Sequence, residues 1–200
     1  MDFIIDIFII ICSYLIGSIP TGYLIAKYFF NVDIKTLGSG NIGATNVLRN
    51  LGKKMGILTL IGDALKGVIP VLFAILYKPY PLNQTLVFFC ALMAFLGHLF
   101  PIYLKFKGGK GVATALGIYL VLFPLQVLYA LIIFFLVVLK TRYVSLGSIL
   151  SALSMPLFVS FYAKDTYQIT LSVIISALVI YKHKDNIHRL LEGRENKLKL

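Results

Sequence analysis

The sequence has few charged residues for a chain of 200. Charged residues make up 14% of it and hydrophobic residues 59%, with a mean hydropathy of +0.90, whereas soluble domains average about 25% charged and about 45–50% apolar residues. This composition excludes an ordinary soluble globule, a disordered chain and a disulfide scaffold. It also excludes a nucleic-acid-binding domain despite the net charge of +11, because no large polar surface remains to carry one. A polytopic helical membrane protein is left.

Other common signals are also missing. Cys12 and Cys90 both lie inside apolar runs, without partners at metal-ligand spacing, so we predict neither a disulfide nor a metal site. The N-terminus has no basic region and no small-residue cleavage site, so its first apolar run is expected to be a retained span rather than a signal peptide. No Walker A loop occurs around Lys110, and a nucleotide site is therefore not indicated.

Six apolar runs predict the membrane segments. Short turns near Lys78–Pro81 and Lys164–Asp165 separate two pairs of these runs, and the remaining connections are polar and basic. The runs cover about Phe3–Phe30, Met55–Tyr77, Leu82–Leu104, Val112–Leu139, Tyr143–Tyr162 and Tyr167–Tyr181.

The distribution of Lys and Arg predicts the orientation. Most of them fall at Lys35–Lys54, Lys105–Lys110, Lys140–Arg142 and in the tail after Tyr181, and such clusters favour the cytoplasmic side. The run between the second and third clusters must then begin and end on one side, as two short helices that turn near Pro124. We therefore predict a single all-α membrane domain over residues 1–200, with seven transmembrane helices, the N-terminus outside and the C-terminus cytoplasmic. The alternative is six helices, one of them long and kinked.

The first cytoplasmic corner, Gly38–Arg49, combines glycines, neutral donors and one arginine. Its glycines let backbone N–H groups approach an anion without interference from Cβ atoms, and the arginine has a planar fork that suits phosphate. A helix that begins near Asn41 or Thr45 would favour negative charge at its N-terminus. The corner predicts a phosphate site, against the alternative of a flexible connector. The candidate ligands are Gly38, Ser39, Gly40, Asn41, Thr45, Asn46 and Arg49.

The second corner, Lys107–Thr114, repeats this pattern. Gly108, Gly109 and Lys110 precede a predicted helix, which again favours an anion site; the alternative is a basic loop at the lipid headgroups.

A third set of polar residues lies at the remaining cytoplasmic connections. Ser145 and Ser148 follow a basic corner, and His183 and Asn186 are three residues apart, so on a continuing helix they would share a face. The alternative for the histidine is a bond to headgroups or water. Together the three sets predict an interfacial site for a phosphorylated substrate.

Three ionisable residues lie within the apolar runs. Asp63 and Lys66 are three residues apart on one helical face, and intramembrane charges usually point into the bundle. They are expected to neutralise each other or to order the site indirectly. His98 is expected either to contact substrate or to hold the glycine-rich corner.

These motifs resemble the bacterial acyl-phosphate-dependent glycerol-3-phosphate acyltransferase (PlsY) family over essentially the whole chain. The most specific matches are the two glycine-rich corners. Shorter ones are Gly17–Gly22, Gly62–Gly67, Gly97–Pro101, Arg142–Leu146 and His183–Asn186 with the following Arg189-Leu190.

The resemblance implies an enzyme of the bacterial inner membrane that works at the cytoplasmic face. It would transfer a fatty acyl group from acyl phosphate to the 1-hydroxyl of sn-glycerol 3-phosphate, forming lysophosphatidic acid and inorganic phosphate, as the first acylation of phospholipid synthesis. The family's functional positions match Ser39, Arg49, Lys110, Ser148, His183 and Asn186.

The residues are consistent with that chemistry. Acyl phosphate is already activated, no acyl-CoA or ATP site is visible, and we predict no cofactor. The sequence also lacks a His-x₄-Asp motif and a Gly-x-Ser-x-Gly elbow, so direct attack by the glycerol hydroxyl is expected. The expected catalytic residues are Ser39, Ser148, His183 and Asn186, with either His183 or a substrate phosphate as the base. The rival interpretations are a transporter of a small anionic solute and a non-catalytic lipid-binding subunit.

Overall fold

The computed structural model describes residues 2–78, 83–163 and 165–198, which form α-helices and short 3₁₀ helices but no β-strand. The predicted all-helical class is therefore confirmed. The turns expected at residues 79–81 and at residue 164 lie outside the described residues. The α-helices are α1 Asp2–Ser18, α2 Thr21–Phe30, α3 Ala44–Leu51, α4 Lys53–Tyr77, α5 Gln84–Leu99, α6 Val112–Leu122, α7 Pro124–Thr141, α8 Val144–Ser160, α9 Thr166–Lys182 and α10 Lys184–Leu191, and the 3₁₀ helices are Ile34–Thr36 and Ile102–Leu104.

Three segments among the described residues are long and apolar enough to cross a bilayer: Lys53–Tyr77, Gln84–Leu104 and Pro124–Thr141. The bent pair of α1 and α2 makes a fourth if it is counted as one span. Helices α6, α8 and α9 are apolar but shorter.

The first apolar run, expected as a single span, breaks between α1 and α2 with a bend of 45°. Pro20 accounts for the break, because proline has no N–H and its ring clashes with the carbonyl four residues earlier. The N–H of Ile19 donates instead to the carbonyl of Ile16 at 3.2 Å, which tightens the last turn of α1.

The break predicted near Pro124 is confirmed, since α6 ends at Leu122 and α7 begins at Pro124, a position where proline fits a helix start. The expectation that both helices around this break are short was only partly right. Helix α6 has 11 residues, but α7 has 18 and is not too short to cross a bilayer.

Residues Met1–Val121 and Leu122–Leu200 form two compact units. In the first unit, α1 packs against α4 and α5, and α4 also contacts α2, α3 and α5. Glycines bring helix backbones of this unit into direct contact. A Cβ on Gly17 of α1 would lie 2.1 Å from the carbonyl oxygen of Ala94 in α5, and a Cβ on Gly117 of α6 would lie 2.1 Å from that of Ala64 in α4. Such close approach is typical of membrane helices that pack through small residues.

In the second unit, α8 packs against both α7 and α9, and α10 contacts α8 and α9. Helicity is interrupted at His183, where the backbone N–H donates to the carbonyl of Ile180 in a tightened turn. The helix on which His183 and Asn186 would share a face therefore does not continue through His183. Both side chains are nevertheless buried.

Candidate active site

The first corner is a compact loop rather than a flexible connector. It leads from the 3₁₀ helix Ile34–Thr36 into α3, whose first residue is Ala44, close to the predicted start. Gly38 and Gly40 have φ values of +55° and +68°, a conformation that glycine adopts without steric cost. Ser39 and Arg49 are exposed at its surface, and Thr45 is half-buried in the first turn of α3.

Asn46 is the residue that holds this loop together. Its buried amide nitrogen donates to the carbonyls of Leu37 at 3.0 Å and Asn41 at 2.8 Å, with a longer contact to Ile34 at 3.3 Å. Its Oδ1 atom accepts the backbone N–H of Ser39 at 3.0 Å. The structure thus gives Asn46 an internal task, whereas the sequence predicted a phosphate ligand.

Backbone donors of the loop are also used internally. The N–H of Gly40 donates to the carbonyl of Leu37 at 3.0 Å, and that of Gly43 donates to Oδ1 of Asn41 at 2.8 Å. These two N–H groups are therefore occupied within the loop, whereas the sequence predicted that the backbone donors of this corner hold a phosphate. Ser39 and Arg49 carry their side-chain donors on the exposed surface of this corner.

An apolar cluster beneath this loop connects the two corners. Ala26, Ile34, Ile42 and Val47 are buried together, and Leu104 packs against them. Since Leu104 lies just before Lys105, the chain that enters the second corner rests on the core of the first. Both glycine-rich corners are therefore at the same end of the first unit.

The second corner folds back onto the end of α5. The N–H of Gly109 donates to the carbonyl of His98 at 3.1 Å. A Cβ on Gly109 would lie 2.2 Å from Nε2 of His98, and one on Gly111 would lie 2.3 Å from the ring of Phe95. These glycines let the loop lie directly on α5. Lys110, which is half-buried, lies between Gly109 and Gly111 in the chain.

Asp63, Lys66 and His98 form a buried cluster behind this corner. The ammonium of Lys66 lies 2.9 Å from Oδ1 of Asp63, and Nδ1 of His98 lies 3.8 Å from the same oxygen. Asp63 and Lys66 thus lie at ion-pair distance, as expected for two charges that are three residues apart on one helix. Lys66 also donates to the carbonyl of Ile19 at 2.9 Å, at the break between α1 and α2.

The second unit contains the other predicted catalytic residues. Nδ1 of His183 lies 2.8 Å from the carbonyl oxygen of Val179. A carbonyl only accepts, so Nδ1 carries the hydrogen and Nε2 is the ring nitrogen able to take a proton. The hydroxyl of Ser148 donates to the carbonyl of Val144 at 2.9 Å within α8.

A carboxylate in the tail holds three residues of this unit. Oε1 of Glu195 accepts from Asn186 Nδ2 at 2.7 Å and from the hydroxyl of Ser145 at 2.8 Å, and Oε2 accepts from Nε of Arg189 at 2.8 Å. Burial raises the pKa of Glu195, but these hydrogen bonds and the charge of Arg189 lower it by more. The net pKa lies below its ordinary value of 4.5, so the group is an anion at neutral pH.

A model of the glycerol-3-phosphate acyltransferase family matches residues 7–193. The chain belongs to this family. A relative from Geotalea daltonii with the same name is 55% identical, over 97% of this chain and 98% of the relative. A second, from Aquifex aeolicus, is 44% identical over 96% of this chain and 98% of the relative. The resemblance seen in the sequence is thus confirmed.

Solved structures support the same family assignment. The structure is similar to a crystal structure of PlsY (YgiH), an integral membrane glycerol 3-phosphate acyltransferase, in its glycerol 3-phosphate form: the TM-score is 0.92 and the identity 42%, over 97% of this chain and 96% of that one. The lysophosphatidic acid form matches with a TM-score of 0.88 and 41% identity, over 97% and 95% of the two chains. The chain is an integral membrane protein of this acyltransferase family.

Sequence reasoning missed Glu195 in this member of the acyltransferase family. Its signal was weak, because Glu195 is one of three acidic residues in a basic tail, with Asp185 and Glu192, and such residues usually carry ordinary surface charge. Its spacing from Asn186 gave no indication that the chain returns to that residue.

Among the described residues, no three His, Cys, Asp or Glu side chains are grouped to hold a metal ion.

Proposed function

We propose that this protein transfers a fatty acyl group from acyl phosphate to the 1-hydroxyl of sn-glycerol 3-phosphate. The glycerol oxygen bonds to the acyl carbon, the bond from that carbon to the phosphate oxygen breaks, and the hydroxyl proton passes to a base. The products are lysophosphatidic acid and inorganic phosphate. The observation that carries the proposal is the match to the family over residues 7–193, supported by the similarity to structures in glycerol 3-phosphate and lysophosphatidic acid forms.

Arg49 and Lys110 are proposed to neutralise the phosphates of donor and acceptor. Each belongs to a glycine-rich corner, and the two corners share one end of the first unit. The hydroxyl of Ser39, exposed on the same loop as Arg49, is proposed as a further donor to a substrate oxygen. A bidentate guanidinium–phosphate pair and charge-assisted hydrogen bonds are strong interactions for such a task.

His183 is proposed as the general base. Its bond to Val179 fixes the tautomer in which Nε2 can accept the hydroxyl proton. Asn186 and Ser148 are proposed to stabilise the oxyanion that develops on the acyl carbonyl, where one donor is worth about 3 kcal/mol. For this task the Ser148 hydroxyl turns away from the carbonyl of Val144. Glu195 fixes the amide of Asn186, which keeps that side chain oriented.

We also propose a single membrane domain that crosses the bacterial inner membrane seven times, with its N-terminus outside and the site at the cytoplasmic face. The bent pair α1–α2 and helices α4 to α9 supply seven apolar segments. Seven crossings leave the two ends on opposite sides. The basic connections Lys35–Lys54, Lys105–Lys110 and Lys140–Arg142 then lie on one side, as the preference of Lys and Arg for the cytoplasm favours.

The activity is tested with purified protein in detergent. Acyl phosphate and glycerol 3-phosphate together should yield lysophosphatidic acid and one phosphate per product, and neither substrate alone should do so. Replacing acyl phosphate by acyl-CoA should give no product. Uptake of glycerol 3-phosphate into vesicles without product would indicate a transporter instead and would overturn the proposal.

The base is tested with His183→Gln and His183→Ala. A base role requires both variants to lose turnover by orders of magnitude while keeping the unfolding temperature close to the wild-type value. If His183→Gln keeps most of the activity, a substrate phosphate takes the proton.

A further inference from the structure

We propose that Asp63, Lys66 and His98 act as one buried positioning network that sets the place of the second corner, and hence the affinity for the phosphate that Lys110 binds. The inference rests on the proposed function, because it assigns these residues a task in binding a phosphorylated substrate. None of the three is proposed to touch the substrate.

The first observation is that this ion pair is costly where it lies. Asp63 and Lys66 are only 2% and 4% exposed in the middle of α4, a segment long and apolar enough to cross a bilayer. A buried pair gains little net stability over apolar residues of the same volume, and charges inside membrane segments usually serve a function. Stability alone is therefore a poor explanation for it.

The second observation is that the pair reaches the α1–α2 break. The carbonyl of Ile19 lies at this break, and Lys66 donates to it at 2.9 Å. Lys66 is thereby fixed between α4 and the break, and its contact with Asp63 fixes the carboxylate in turn.

The third observation is that Asp63 contacts both flanks of the second corner. On one flank, the imidazole of His98 lies between Asp63 Oδ1 and Gly109, with Nδ1 facing the carboxylate and Nε2 facing the loop. On the other flank, the hydroxyl of Thr114 donates to the backbone carbonyl of Asp63 at 2.9 Å. Lys110 lies between these two attachments, so one residue of α4 sets the position of the loop from both ends.

This arrangement makes Gly109 sensitive to His98. The loop contacts the histidine through the Gly109 N–H bond to the His98 carbonyl and through the close approach of Gly109 to Nε2. A small displacement of the ring therefore moves the backbone next to Lys110. Phosphate recognition depends on the position of such groups to within about 1 Å.

The test is a double-mutant cycle between Asp63→Asn and His98→Ala, with turnover measured against each substrate separately. We expect each single variant to raise the KM for the same one of the two phosphorylated substrates about tenfold, and to change the other KM less than about twofold. The double variant should be no worse than either single variant, because both interrupt the same path. The substrate whose KM rises identifies the phosphate at the second corner.

Two additions keep the test decisive. If Asp63→Asn leaves Lys66 as an uncompensated charge and the protein does not accumulate, Asp63→Asn with Lys66→Met removes both charges. The matched control is Asp6→Asn. Asp6 lies in α1 and its Oδ1 atom is 2.6 Å from Nζ of Lys78, the residue that follows α4. Breaking this ion pair should leave both KM values unchanged.

Two results would overturn the inference and leave a purely structural pair. One is that Asp63→Asn and His98→Ala change the KM independently of each other. The other is that the variants lower the unfolding temperature but leave both KM values unchanged. Calorimetric titration with inorganic phosphate gives a readout without turnover: weaker binding in the variants than in wild type is expected, and equal binding contradicts the inference. Wild-type protein that binds phosphate but has no acyl transfer would instead refute the proposed function.

Discussion

The Nδ2 atom of Asn186 lies 2.7 Å from Oε1 of Glu195, and the hydroxyl of Ser145 reaches the same oxygen. A tail residue thereby connects the first turn of α8 with α10. The N–H of Leu198 extends this connection, since it donates to the carbonyl of Arg142 at 2.7 Å. The tail is therefore part of the framework around the proposed catalytic residues.

Replacing Glu195 by Ala should destabilise the protein by about 3 kcal/mol, because it leaves buried donors of Asn186 and Ser145 without their acceptor. Activity should fall with it, since the amide of Asn186 loses its orientation. Denaturation monitored together with turnover checks this. Glu192→Ala is the matched control: Glu192 is on the same tail, more exposed, and pairs with Arg194. A loss of similar size in the control would mean that the tail contributes only general charge.

Acid should remove the contribution of Glu195. Its pKa is lower in the folded protein than its ordinary value of 4.5, so the stabilisation is fully present above about pH 4.5 and is lost as the pH falls through the lower folded-state pKa. The difference in unfolding temperature between wild type and Glu195→Gln should be constant near neutral pH and shrink below that value. A difference that persists unchanged into strong acid would contradict the assignment of the anionic form.

Asn46→Ala should disrupt the first corner. The substitution removes the amide that donates to the carbonyls of Leu37 and Asn41 and accepts from Ser39. We expect a loss of about 2–3 kcal/mol in stability and at least a tenfold loss in kcat/KM. Asn50→Ala is the comparison, because Asn50 is exposed and its amide donates to Asn46 without bonding the carbonyls that the Asn46 amide holds. Equal effects of the two substitutions would show that Asn46 has no special role.

Gly17→Ala should be much more harmful than Gly62→Ala. The new Cβ at residue 17 would lie 2.1 Å from a backbone oxygen of Ala94, which cannot rotate away, whereas at residue 62 it would meet the methyl group of Thr21 at 2.5 Å, which can. Overpacking of this kind costs about 1–3 kcal/mol or more. Yield of folded protein and its unfolding temperature measure the difference, and similar values for both variants would argue against the backbone contact.

The parts of the fold that the sequence predicted correctly were those marked by a distinctive residue. Pro124 indicated a break because proline removes an internal helix hydrogen bond and fits the first turn of a helix, although Pro70 and Pro156 lie within α4 and α8. The glycine-rich corners were located because their composition is rare in an apolar chain. The break at Pro20 was overlooked, since the apolar run continues on both sides of it. The interruption at His183 has no sequence signal, because histidine and its neighbours are all acceptable in a helix.

The candidate site was harder to predict than the fold. The sequence identifies a donor, but not the acceptor that the donor meets. Asn46 was expected to bind phosphate because it is polar and lies in the corner, yet its amide is used on its own loop. Glu195 was missed for the converse reason: the residues that it binds are brought to it only by the return of the tail. The pairing of Asp63 with Lys66 could be predicted because it is local, three residues apart on one helix.

The glycine contacts of the first unit have a further consequence for how a lipid-like substrate gains access. Where α1 and α5 touch through their backbones, at Gly17 and Ala94, no side chain lies between the helices that could rotate to open a path. A long hydrocarbon chain therefore cannot pass between the two helices at this point without breaking their backbone contacts. We expect its route to run along the outer surface of these helices.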